Sequence, residues 1–211
     1  MKDLEKAVFS RHDPEVLAAL RTSSVGVAGC GGLGSNAALS LARAGVGRLI
    51  LADFDRVEPS NLNRQQYTVA QIGSRKAEAL AANLRAAAPF TSVTVWNVKV
   101  TPSNVEKLFG GADLLIEAFD RAEEKGKLIN SWLRLHPDRY VIAGSGLSGY
   151  GANASLKTRR IGRLYVCGDG VSEPPPGVSP MAPRVALVAN MQANLAVELL
   201  VGLSRTKKKP R

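Results

Sequence analysis

Aromatic residues make up only 5% of this 211-residue chain, so there is little for bases to stack on and an open single-strand nucleic-acid platform is set aside. Cysteine is almost as scarce: Cys30 and Cys167 are the only two. They cannot build a disulfide framework, and Cys30 sits inside a glycine-rich loop where pairing with Cys167 is unfavourable, which fits a reducing compartment. The two histidines, His12 and His136, lie near no carboxylate motif and read as surface residues. No apolar leader segment follows Met1-Lys2-Asp3. The last apolar stretch, Val185 to Leu203, is interrupted by Asn190, Gln192, Asn194 and Glu198, so a soluble cytoplasmic protein without membrane partners is expected.

Acidic residues are outnumbered, 18 against 28 basic ones, giving a formal net charge of +10. Much of that excess sits in one place. Arg205, Lys207, Lys208, Lys209 and Arg211 form a terminal cluster, so residues 205–211 read as a solvated, disordered basic tail on a moderately basic body. With the excess charge in a solvated tail and few aromatics for bases to stack on, a nucleic-acid partner is not expected. At 45% hydrophobic residues the remainder is large enough for one core and too short for two, and residues 1–204 are expected to form a single domain.

Strand and helix patterns alternate, with strands near 25–29, 48–52, 93–98, 114–117 and 140–144 and helices near 34–45, 74–88, 102–110 and 121–136. This is an α/β, Rossmann-like pattern: a mainly parallel sheet flanked by helices, with ligands at the carboxyl ends of the strands. Beyond Gly144 two extended segments, near 152–158 and 161–167, predict an antiparallel C-terminal extension. Between Gly168 and Pro183 five prolines and three glycines predict an exposed loop. A closing amphipathic helix is expected over 185–203.

The chemistry concentrates between Val25 and Lys76. Gly29-Cys30-Gly31-Gly32-Leu33-Gly34-Ser35 follows a buried strand and opens a helix, which directs backbone N–H groups and the positive helix end at one point, a phosphate cradle. The spacing of Gly29, Gly31 and Gly34 is the ordinary dinucleotide pattern and by itself names no nucleotide. Asp53, at the end of the second strand, suits a ribose hydroxyl. Asn61, Arg64 and Lys76 are superfluous for a redox dinucleotide. They suit a triphosphate, whose negative oxygens must be neutralised before an anionic nucleophile approaches. On a helical turn Asn61 and Arg64, three apart, project from one side.

Together these residues resemble the ThiF and MoeB family, bacterial relatives of ubiquitin-activating enzymes. The resemblance rests on the glycine loop 29–35, Asp53-Phe54-Asp55 with Val57 and Glu58, Ser60-Asn61-Leu62-Asn63-Arg64-Gln65, Lys76, and Glu117-Ala118-Phe119-Asp120. It extends from Arg11 to about Gly202. Val171-Ser172-Glu173-Pro174 and Met181-Ala182-Pro183-Arg184 bring it nearest the short ThiF type, which adenylates the sulfur carrier ThiS for thiamine thiazole synthesis.

What the resemblance implies is attack by the C-terminal glycine carboxylate of a ubiquitin-like carrier on the α-phosphate of ATP. Gly29, Gly31, Gly32, Gly34, Asp53, Asn61, Arg64 and Lys76 would bind ATP, with Asp55 supporting the loop after Asp53. Asp120 would hold Mg²⁺. Arg11 would reach the triphosphate of a partner subunit in a homodimer, making Arg11, Arg64, Lys76 and Asp120 the catalytic set. Cys167 is the one candidate for a covalent role. Longer relatives carry two Cys-x-x-Cys pairs for zinc; this chain has neither, so no zinc is expected. Two other readings stay open. One is adenylation of another acceptor, the molybdopterin carrier or a carboxylated tRNA nucleoside, favoured by a basic face on the body. The other is a non-catalytic nucleotide-binding scaffold, favoured if loss of Asp120 has no effect.

Overall fold

A computed structural model describes residues 1–208. Seven strands form one sheet: β1 (Ser24–Ala28), β2 (Arg48–Ala52), β3 (Ser92–Trp96), β4 (Leu114–Glu117), β5 (Tyr140–Gly144), β6 (Lys157–Ile161) and β7 (Leu164–Gly168), in the order β3-β2-β1-β4-β5-β7-β6. All neighbours are parallel except β6 and β7. β1, β2, β4 and β5 are short apolar runs, buried almost throughout, as strands covered on both faces must be. From β1 the chain adds strands in one direction and from β4 in the other. The topological switch point, where α/β sheets open a ligand crevice at the carboxyl edge, therefore lies between β1 and β4.

The helices are α1 (Lys2–Val8), α2 (Pro14–Arg21), α3 (Gly32–Ala44), α4 (Lys76–Ala87), α5 (Val105–Phe109), α6 (Ala122–Leu135) and α7 (Ala182–Lys208). One face of the sheet packs on α2, α3, α4 and α7 around Leu20, Leu41, Leu80 and Val188, the other on α5 and α6 around Phe109, Leu128 and Trp132. Local signals set several ends. Asp13 caps α2, its Oδ1 accepting the amides of Glu15 (2.8 Å) and Val16 (3.1 Å), with Pro14 opening the helix. Gly45 closes α3 in the left-handed conformation.

Four sequence expectations shift. The sixth strand begins at Lys157, because Asn153–Ser155 forms a 3-10 turn after Ala152, which has positive φ. The last helix starts at Ala182 and runs to Lys208, past the expected end at 203, since Ser204 to Lys207 contains no breaker and lysines suit a helix C-terminus. Residues 205–208 of the expected tail are thus helical, and 209–211 lie outside the described residues. By length and composition α7 is apolar enough to cross a membrane. Its inner face, Val185, Val188, Ala189, Gln192 and Ala196, is instead packed in the core. His136 is buried, its ring on Trp132 (centroids 4.4 Å apart) and Nε2 2.9 Å from Glu106. It fastens α6 to α5 and is no surface residue.

Candidate functional site

At the end of β1 the backbone folds so tightly that a Cβ on Gly34 would overlap the carbonyl oxygen of Gly29. Only glycine allows that approach. Asp53, at the end of β2, holds the loop from below: Oδ2 accepts the Cys30 amide (2.6 Å) and Oδ1 the Asp55 amide (2.7 Å). Burial pushes the Asp53 carboxyl up, and these two amides together with the Lys76 charge pull against that rise. The Cys30 thiol, fully buried beside Asp53, is pushed up by burial first and by that carboxylate second. Cys30 is a packed small side chain.

Lys76 is the first residue of α4 and is nearly buried, with Nζ 3.0 Å from Asp55 Oδ2. Tyr67 closes the circuit by donating its hydroxyl to the Cys30 carbonyl (2.6 Å), 3.3 Å from that of Lys76. The cradle and the lysine thus form one hydrogen-bonded unit. The first amides of α3 have no carbonyl within the helix to bond and are free to meet an anion.

The 60–66 run is clamped to α3: Asn36 Nδ2 donates to the Arg64 carbonyl (3.0 Å), the Gln66 amide to Ser35 Oγ (3.1 Å), and Gln66 Nε2 to Asn36 Oδ1 (2.7 Å). Asn61 ends a 3-10 turn (Pro59–Asn61), and its buried Oδ1 accepts the Glu58 amide (3.1 Å) in a capping box. Asn61 Nδ2 lies 3.5 Å from Ser60 Oγ. The Arg64 stem runs beside Gly32, while its Nη1 donates to Asn63 Oδ1 (2.8 Å) and to the Ser60 carbonyl (3.2 Å). Gln65, buried near Gly31, leaves Oε1 without a partner.

Across the switch point, β4 ends in Glu117, which is 0% exposed. Burial pushes its carboxyl up, and Lys125 opposes that rise. Three residues later Asp120 is exposed and forms no hydrogen bond or ion pair among the described residues. A lone carboxylate beside a phosphate cradle is what Mg²⁺ uses, since it takes one or two carboxylates with phosphate oxygens and water. No cluster of three acidic, histidine or cysteine ligands occurs among the described residues.

On the far side Val185 of α7 packs onto Gly32, bringing the proline-rich crossover to the cradle. Arg184, 4% exposed, binds three acceptors in two loops: the Gly151 carbonyl (2.6 Å) and Ser155 Oγ (3.2 Å) in one, and Asp169 Oδ2 (2.7 Å) in the other. Partial burial pushes the Asp169 carboxyl up, but the Ser172 and Val171 amides, the Ser172 hydroxyl and Arg184 outweigh it and hold the group below the usual carboxylate range. Cys167 lies buried in the core with Sγ 3.7 Å from Thr158 Oγ1. Burial pushes this thiol up, opposite to an activated nucleophile.

Arg11 lies elsewhere. Two residues before it, Phe9 packs where the chain enters the sheet, on Gly45, Arg21 and Phe90. This is the amino edge, separated from the glycine loop by the length of a five-residue strand, roughly 15 Å. Within one chain Arg11 is not part of the site.

The sequence reading assigns no role to Tyr67, Lys125, Gln192 or Asp169. The one available signal is a polar or charged residue inside an apolar run, as with Gln192 in α7.

Residues 5–211 match the ThiF family. The chain belongs to the ThiF family. Over 190 residues it is 33% identical to the adenylyltransferase and sulfurtransferase UBA4 of Yarrowia lipolytica, covering 87% of this chain and 47% of that protein. Over 119 residues it is 40% identical to the SAMP-activating enzyme E1 of Haloferax volcanii, covering 53% of this chain and 44% of the relative. The chain therefore spans under half the length of these curated relatives. In fold it is similar to E. coli tRNA N6-threonylcarbamoyladenosine dehydratase in complex with ATP, at 23% identity with a TM-score of 0.84, covering 96% of this chain and 95% of that one.

Proposed function

We propose that this ThiF-family chain is an ATP-dependent adenylyltransferase that activates the C-terminal glycine carboxylate of a ThiS-type sulfur carrier, working in the cytoplasm as a homodimer. The observation that carries the reading is the convergence at one switch point of a glycine cradle, a nearly buried lysine and an unpaired carboxylate. A carrier carboxylate is ionised at neutral pH and needs no general base. Its oxygen forms a bond to the α-phosphorus while the bond to the pyrophosphate oxygen breaks, leaving an acyl-adenylate. What the protein supplies is position and charge.

In this reading the α3 amides bind phosphate oxygens, Asp53 keeps the loop in shape with lone pairs to spare for a ribose hydroxyl, and Lys76 passes from Asp55 to the triphosphate. Asp120 would hold Mg²⁺, which would neutralise phosphate charge when bound. The test is exchange of labelled pyrophosphate into ATP with each Gly-Gly carrier in turn. Exchange confined to a ThiS-type carrier supports the assignment. Absence of exchange with every carrier, with tight NAD binding, would overturn it.

The placement of Arg11 at the amino edge supports a role across subunits. Mixing inactive Arg11→Ala and Lys76→Ala proteins should restore up to about a quarter of wild-type activity once subunits exchange at random.

One observation favours a second reading. Basic charge is not confined to the tail: Lys157, Arg159 and Arg160 lie on the wholly exposed edge strand β6, and Arg160 and Arg163 stack over Tyr165 and Tyr140. Such a basic sheet edge fits an acceptor carried on RNA. Exchange stimulated by tRNA with a carboxylated nucleoside, and by no protein carrier, would select it.

A further inference from the structure

We infer that Glu117 and Lys125 act as a positioning pair that sets Asp120 for metal-bound ATP, an inference that rests on the adenylyltransferase reading above. Glu117 Oε1 accepts the Phe119 amide (2.6 Å) and Lys125 Nζ (3.1 Å), and Oε2 lies 2.8 Å from the same ammonium without an aligned hydrogen bond. Lys125 also donates to the Phe119 carbonyl (2.8 Å). Both backbone groups of the residue preceding Asp120 are therefore held by one ion pair.

The rest of the turn is boxed in. Behind it, Gln192 of α7, 0% exposed, donates Nε2 to the carbonyls of Glu117 and Ile142, each at 3.1 Å, tying the ends of β4 and β5 together. In front, a Cβ on Gly29 would meet the Ala118 carbonyl oxygen at 2.9 Å and the Phe119 ring at 3.1 Å. The turn bearing Asp120 is thus pressed against the cradle and held from the core.

Two physical arguments give the pair work beyond stability. A buried ion pair stabilises a fold little better than apolar side chains of similar size, whereas its directional bonds fix a backbone turn. It also settles charge. An unpaired Glu117 carboxylate three residues from Asp120 would add negative charge where a triphosphate must enter, and the Lys125 ammonium cancels it. Groups that orient a metal-binding carboxylate typically change metal affinity or activity by about 10- to 100-fold when removed.

The experiment combines equilibrium dialysis of labelled ATP across a Mg²⁺ titration with pyrophosphate exchange, using wild type, Lys125→Met, Lys125→Arg and Asp120→Asn. Lys125→Met should raise the Mg²⁺ concentration needed for half-maximal ATP binding about 10-fold or more and lower kcat. Lys125→Arg, which keeps two directional donors, should recover most of both. In an Asp120→Asn background Lys125→Met should add little, because both act through the same carboxylate. Should Lys125→Met fail to fold, Glu117→Gln with Lys125→Met removes both charges at once and should show the same Mg²⁺ shift. A folded variant with wild-type Mg²⁺ dependence and kcat would overturn the inference. Wild-type protein that shows Mg²⁺-dependent ATP binding but no exchange with any acceptor would count against the adenylyltransferase reading and leave the pair to be judged by the binding arm.

Discussion

On the β1–β2 side of the carboxyl edge the loop is held by Asp53, whose carboxyl burial pushes up. On the β5–β7 side the crossover is held by Asp169, which amide donors and Arg184 hold down. The first side is knit by Asp53, Asp55, Tyr67 and Lys76 within one stretch of chain that meets the cradle, bond after bond. The second draws on one arginine reaching acceptors 15 to 33 positions away, beside backbone bonds such as Gly170 to the Ser145 carbonyl, in loops where Gly146, Gly149, Gly151, Gly168, Gly170 and Gly177 all take positive φ. A nucleotide cradle gains from being preformed, because catalysis by positioning requires no reorganisation at the moment of reaction. Loops rich in positive-φ glycine and tied by few side chains are the ones expected to open first.

That contrast breaks most visibly at Asp120 and Lys76. Either residue replaced by alanine should lose on the order of 10²- to 10³-fold in pyrophosphate exchange with the fold intact, measured alongside circular dichroism. Arg184→Met should act on the other side. It leaves Asp169 with its two amide donors but without its cation, at a cost of about 1.5 to 3 kcal/mol. Hydrogen exchange should then accelerate at Val171 and Ser172 and stay slow at Cys30.

Acid should separate the two sides by sign. A carboxyl held low in the fold contributes stability at pH values above its unfolded pKa, and loses it as pH falls through the folded one, so Asp169 weakens the crossover below about pH 4. Asp53 and Glu117, held high, bind protons more readily folded than unfolded, so falling pH does not weaken the cradle through them. Amide exchange followed from pH 6 downward should therefore rise first at Val171 and Ser172, and Asp169→Asn should remove that acid response. Simultaneous loosening at Cys30 would defeat the comparison.

Tyr67→Phe removes one bond from the preformed side. A loss of roughly 1 kcal/mol is expected, with a higher KM for ATP and little change in kcat. The smallest effect belongs to Cys167→Ala, which should leave exchange unchanged, since carboxylate attack needs no thiol. Loss of exchange in folded protein would restore a catalytic role to that cysteine.

Much of the cradle was legible because its signals are local. The glycine spacing, the acid ending β2 and the lysine heading α4 each report a backbone conformation or helix end that neighbouring residues enforce. For Asn61 the residue type and position are legible, whereas the capping box that occupies its Oδ1 with the Glu58 amide and leaves Nδ2 to donate depends on how the turn closes. His136 and Cys167 were ambiguous because burial is a property of the packed elements.

By itself, then, the amino-acid sequence determined the alternation of strands and helices, the mainly parallel sheet and the place of the glycine loop at the end of β1, all of which follow from periodicity and short-range chemistry. The tertiary structure alone decided that Arg11 sits at the opposite edge from the cradle, that Glu117 and Lys125 share a buried bond beneath Asp120, and that Arg184 fastens the crossover. These contacts join residues from 8 to 33 positions apart or span the whole sheet. No local pattern encodes them, because each exists only once the helices have closed over the strands.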